Sequence, residues 1–243
     1  MMETLINLNR EELVFSPPES GCALALTGLP GGGSKIYDRS PYGNHGAITG
    51  ATWTRLPSGL WVLAYDGNDD KVDTGTSFQS TFRDSFSIEF WIRPADGHPS
   101  LEEIPCGSRN ASGEDQIFFS IQTGGSLFFN YRSNGNDVQP DTVSAVFFDG
   151  QETWHQIVAT MSSGGYARLY FDAVEKASAS MSGVVMADWT SVDNFYIGGR
   201  NSAGSLFHPT NSEIALLRIH AFVLSTIEIC KHRDQEKNLF GVW

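Results

Sequence analysis

One stretch constrains this chain more than any other: SFSIEFWIRP, Ser85 to Pro94. Phe86, Ile88, Phe90 and Ile92 would share one face of an extended strand, with Ser87, Glu89, Trp91 and Arg93 on the other. Side chains alternate across a strand, so aromatic and β-branched residues at every second position describe a strand with one face in a core. Pro94 has no N–H to give to a ladder, so the strand is predicted to end there. No other segment is as long, as apolar and as regular. It is predicted to be the central strand of one sheet of a β-sandwich.

Length allows this. At 243 residues the chain is either one large all-β domain or two small ones, and no linker or internal repeat divides it. Hydrophobic residues make up 40% and charged residues 18%, enough to build a core and too apolar for wholesale disorder. The 25 glycines and 10 prolines are spread as punctuation, which fits many short strands joined by turns. A net charge of −12 argues against nucleic acid as a partner, because phosphates are bound by Lys and Arg. No run approaches the ~18 apolar residues of a membrane span.

Cys22, Cys106 and Cys230 are far apart and form no C-x-x-C, so free thiols are expected and a zinc knuckle is not. The start, MMETLINLNREELVF, lacks the basic-then-apolar order of a cleaved signal peptide. That points to a virion, or to a surface reached without such a signal. Residues 1–20 read as an arm, with Leu5, Ile6, Leu8, Leu13, Val14 and Phe15 available to dock on the domain or on a neighbouring subunit, and residues 21–243 as the folded domain.

Further strands are predicted at GCALALTG (Gly21 to Gly28), QIFFSIQ (Gln116 to Gln122), SLFFNYRS (Ser126 to Ser133), TVSAVFF (Thr142 to Phe148), WHQIVATM with YARLYFDAV (Trp154 to Val174), NFYIGGR (Asn194 to Arg200) and EIALLRIHAFVL (Glu213 to Leu224). Ser225 is a good N-cap for a short helix to Glu236. About a dozen strands and one short C-terminal helix make an all-β, two-sheet antiparallel jelly roll. The three glycines of LPGGGSKI are not followed by Gly-Lys-Ser/Thr and read as a turn.

The segment YDRSPYGNHG resembles the opening motif of laminin-G-like, concanavalin A-like lectin/glucanase jelly rolls. The similarity continues in order through LAYDGNDDKVDTG, SFSIEFWIRP, WHQIVATM with YARLYFDAV, NFYIGGR and RIHAFVLSTIEI, over roughly residues 37–230. Six segments in order are specific for the fold and much less so for function, since one fold hosts many sites.

The resemblance implies a structural calcium held by the Asp of the opening motif, here Asp38. Asn44, Asp66, Asp69 and Asp70 are further oxygen donors on turns. Ala215 and Leu216 stand where relatives carry acidic residues in the last strand, which removes possible ligands. The alternative is that Asp38, Asn44 and Asp66 hold backbone amides in turns. No other cofactor is expected.

Hydrolases of this fold need two carboxylates across the scissile bond. No Glu here is followed by Asp two residues on, and Glu89 has no acidic companion on its strand. No Gly-x-Ser-x-Gly, His-x-His or His-Glu-x-x-His occurs. Catalysis is therefore not expected. Sugar recognition needs an aromatic face with polar groups beside it, and Trp91, Tyr131 with Arg132, and Trp189 are the candidates. The chain is expected to be a non-catalytic module that binds glycans or surface glycoconjugates. The alternative is a virion or assembly subunit joined through residues 1–20, ahead of a polysaccharide-degrading enzyme.

Overall fold

The computed structural model describes residues 20–142, 144–150, 152–190 and 193–243. The arm assigned to residues 1–20 lies, but for Ser20, outside them. The first strands are β1 (Cys22–Ala25), β2 (Lys35–Ile36), β3 (Gly46–Thr49), β4 (Thr52–Arg55), β5 (Trp61–Asp66) and β6 (Lys71–Asp73). A helical turn (Gln79–Phe82) leads into β7 (Phe86–Pro94), β8 (Cys106–Arg109), β9 (Gln116–Ile121), β10 (Leu127–Ser133) and β11 (Asn136–Val138). The chain continues as β12 (His155–Met161), β13 (Tyr166–Phe171), β14 (Val174–Ser180), β15 (Tyr196–Ile197), β16 (Arg200–Ser202), β17 (Ser205–Phe207) and β18 (Asn211–His220). The C-terminal helix (Thr226–Glu236) and a 3-10 turn (Lys237–Phe240) close it.

The first sheet runs β14-β13-β12-β7-β18-β5-β4, with β1 also paired to β18. The predicted central strand is central: β12 flanks it on one side, with Ile157 opposite Phe90, and β18 on the other, with Ile219 opposite Ile88. The second sheet runs β17-β16-β8-β15-β6-β3-β2, and the ribbon β11-β10-β9 extends that layer. Phe86, Ile88, Phe90 and Ile92 enter the core between the layers, where they meet Ile117, Phe119, Phe129 and Tyr131 from β9 and β10. Alternation along β9 and β10 sends Gln116, Phe118, Asn130 and Arg132 to the other face.

Two details depart from the predicted strands. The described residues of the segment predicted from Thr142 to Phe148 are in no strand. Its backbone instead ties off the β9–β10 hairpin, with the amides of Val146 and Phe147 donating to the Gly125 carbonyl. Gly125 sits at φ 75°, and a Cβ there would fall 2.4 Å from the Phe147 carbonyl oxygen, so this turn needs glycine. Conversely, β14 is an exposed edge strand of sequence VEKASAS, whose small and charged residues hide it from a hydrophobic pattern. No helix among the described residues is long and apolar enough to cross a membrane.

Candidate functional site

The outward face of β7 is covered. The C-terminal helix starts at Ser225 with a reciprocal cap: the Glu228 amide donates to Ser225 Oγ, and the Ser225 amide donates to Glu228 Oε2 at 2.7 Å. So anchored, the helix and the turn after it lie over Ser87, Glu89 and Trp91. Glu89 accepts from Arg218 Nη1 at 2.8 Å, its Oε1 lies 3.0 Å from His220 Nε2, and its Oε2 lies 3.0 Å from His232 Nδ1. Arg218 also grips Glu236 of the helix, whose Oε2 accepts the Trp91 indole N–H at 2.7 Å. Burial alone would raise the Glu89 carboxyl, but Arg218, followed by the two histidines, holds it well below the usual carboxylate range. Glu89 is 1% exposed, so this charge cluster fastens the helix and is sealed from solutes.

The aromatic residues predicted as sugar platforms are in the interior, which corrects that expectation. Trp91 is stacked on Phe240 at 4.4 Å beneath the 3-10 turn. Tyr131 points into the core and donates its hydroxyl to the Phe82 carbonyl at 2.7 Å, while Trp189 packs edge-on to Phe82. Arg132, one residue on from Tyr131, takes the opposite face and pairs with Asp137 at 2.9 Å. Consecutive strand residues cannot share a face, so Tyr131 and Arg132 were never available as a pair.

The predicted calcium donors separate into two groups. Asp38 is buried and both its oxygens are engaged: Oδ1 accepts from the amides of Ala25 and Ser40, Oδ2 from the Asn44 amide and the Ser40 hydroxyl. Asn44 donates its side chain to the Ala23 carbonyl. Both therefore build a turn against β1, and the donor set at Asp38 does not fit a cation. Asp66, Asp69 and Asp70 do come together, with a carboxylate oxygen of each within 4.8 Å of the others. Hydrogen bonds from Asn68 lower the Asp66 carboxyl, whereas burial raises that of Asp70. Among the described residues, these three carboxylates are the group close enough together to hold a hard divalent ion.

An open recess that sets an exposed ring beside carboxylates lies at the rim, next to Asp66. A cleft of about 610 Å³ lies between the β5–β6 turn, the loop after β7 and the β17–β18 connection, with Asp96, Leu101, Glu102, Phe207 and His208 on its walls. The Phe207 and His208 rings are stacked at 4.3 Å with planes 19° apart, and Phe207 is 44% exposed. His208 holds φ at 49° although it precedes Pro209, a position that sterically favours extended backbone. Such strain collects at binding sites. His208 Nδ1 lies 3.1 Å from Glu102 Oε2, and Glu102 Oε1 accepts from Ser120 and Gln122, so the ring pair is braced from the second sheet. Glu103 accepts from the Thr210 hydroxyl and the Asn211 amide, both at 3.0 Å, and burial raises its carboxyl. These residues were not singled out from sequence. The signal present was GSLFHPTN, an aromatic pair before a proline in a polar turn.

A family model described as "Concanavalin A-like lectin/glucanases superfamily" matches residues 66–230. No curated protein sequence matches the chain. Among solved structures, the binding domain of botulinum neurotoxin DC in complex with SialylT aligns at TM-score 0.66 and 15% identity. The same domain in complex with rat synaptotagmin II gives the same values. A structure titled for cell entry of botulinum neurotoxin type C through two ganglioside molecules aligns at 0.67 and 14%. Each match covers 90% of this chain but only 51–52% of the other, so this chain spans about half the length of those structures. At this identity the likeness establishes the sandwich fold.

Proposed function

The chain belongs to the concanavalin A-like lectin/glucanases superfamily, and from that premise we propose that it is a non-catalytic recognition module that binds glycans or surface glycoconjugates in the rim cleft. The observation that carries this reading is the exposed Phe207 ring, stacked on a braced His208 beside Asp96 and Glu102. A sugar's C–H face packs on an aromatic ring while hydroxyls donate to carboxylates, and this cleft supplies both within the roughly 300–1,000 Å³ typical of small-ligand sites. The neurotoxin structures, whose titles name gangliosides and a synaptotagmin, support a ligand-binding use of the sandwich at the level of fold. The non-catalytic part draws on the state of Glu89 and Glu236: both are buried and locked to Arg218, which leaves no carboxylate pair there to flank a glycosidic bond.

A glycan array probed with the wild-type protein and with Phe207→Ala tests the proposal. Binding to a defined set of sugars is expected, with at least a tenfold loss in the variant. Retention of no glycan by the wild type, or full retention by Phe207→Ala, would contradict it.

A further inference from the structure

The arginines that are not fully exposed divide into two groups. Arg93, Arg132, Arg168, Arg218 and Arg233 each lie within 4 Å of a carboxylate. Arg109 and Arg200 have no carboxylate that close among the described residues. Arg200 is only 7% exposed, with its guanidinium 4.6 Å from the Phe118 ring centre and 5.1 Å from that of Phe207. Its side-chain hydrogen bonding among the described residues amounts to one long contact, Nη1 to Gln116 Oε1 at 3.5 Å. Nε is buried and unpartnered in both arginines. A guanidinium offers five donors, and leaving them dry is costly unless something accepts from them.

Register brings the two together. β16 runs parallel to β8 with Arg200 opposite Gly107, and Arg109 is two residues beyond Gly107 on the same strand, hence on the same face. That face is the outer one, shared with Phe118 and Gln116. The positive charge of Arg109 reaches Arg200: burial first, then Arg109, pushes the Arg200 pKa down to about 10. Glu102 acts on Arg200 in the opposite sense but lies beyond ion-pair distance. In a protein of net charge −12, two neighbouring arginines with no carboxylate within 4 Å among the described residues form a local exception.

We propose that Arg109 and Arg200 form a subsite for one anionic group of a ligand, a carboxylate or a sulfate, on the outer face of the second sheet with Phe207 as its wall. A planar carboxylate or a sulfate can take two parallel N–H donors from a guanidinium, which an ammonium cannot provide. Phe207 borders both this subsite and the rim cleft, so an acidic substituent there extends the glycan reading. The proposal rests on that reading only for the identity of the ligand and not for the anion site itself.

The test is titration of the wild-type protein with sodium sulfate and with free N-acetylneuraminic acid at constant ionic strength, followed by thermal shift and by amide chemical shifts, with sodium chloride as control. Saturable binding is expected for sulfate, the sugar acid or both, and the arm that saturates identifies the acidic group. Arg109→Gln should weaken it at least tenfold, with Arg109→Lys only partly restoring it. Arg109 is half-buried and its guanidinium makes no side-chain hydrogen bond among the described residues, so the variant is expected to fold. No saturable binding, an equal response to chloride, or unchanged affinity in Arg109→Gln would each overturn the proposal. A neutral methyl glycoside run in parallel reports on the cleft alone: if it binds and the anions do not, the glycan reading stands and the anion subsite falls.

Discussion

Beneath the C-terminal helix, Glu89 and Glu236 gather Arg218, His220 and His232 inside the protein. At the rim, Asp96 and Glu102 stand around an open cleft with an exposed phenylalanine. Both regions are rich in carboxylates and aromatic rings, one on the outward face of the central strand β7 and the other at the rim of the same sandwich. The difference is the covering element. Where the helix lies over β7, Glu89 and Glu236 both grip Arg218 and are closed in by His220, His232 and the Trp91 indole, so the cluster fastens the helix. At the rim the carboxylates keep part of their capacity for a solute. Carboxylate content alone does not mark a site in this fold.

Breaking the sealed region should have the largest effect. Glu89→Gln leaves Arg218 with one carboxylate and replaces one of the two acceptor oxygens facing the histidines with an NH2 donor. Loss of one partner of a buried charge pair typically costs about 3–5 kcal/mol, which a denaturant midpoint would register. The pH dependence has a definite sign. Because the folded Glu89 carboxyl is depressed from its ordinary 4.5, its contribution is complete above that value and is lost as pH falls below it toward the folded value. Wild-type stability should therefore drop steeply below about pH 4.5, and the Glu89→Gln curve should be flatter there. Parallel curves would mean that Glu89 is not the group responsible.

Trp91→Phe comes next. It removes the indole N–H from Glu236 and leaves a buried carboxylate oxygen without its donor, at a cost of about 1–3 kcal/mol. Ser225→Ala should cost about 1 kcal/mol through the lost helix cap, measurable as a lower melting temperature. Should it cost nothing, the helix is held by its packing and charge cluster without help from the cap.

These expectations also mark what the sequence made legible. The period-two pattern of Phe86 to Ile92 located the central strand and its core face, because one strand carries that information within itself. Ser225 announced the helix start for the same reason. What covers the other face of β7 depends on Phe240 and Glu236, about 145 residues further on, and nothing near Trp91 reports them. The rim cleft likewise joins Asp66, Glu102 and Phe207 from three distant segments. Asp38 and Asn44 were read as possible metal ligands, whereas the fold uses them as turn residues, the alternative open at that stage.

The smallest effect on stability, and the most informative on function, is expected at Phe207. Its ring is half-exposed, so Phe207→Ala should shift stability by no more than about 1 kcal/mol. The decisive measurement is calorimetric titration of one array-identified glycan into wild type, Phe207→Ala and Trp91→Phe, at a temperature where all three are folded. The account predicts at least a tenfold loss of affinity for Phe207→Ala and unchanged affinity for Trp91→Phe. The reverse pattern would place recognition beneath the helix and contradict it.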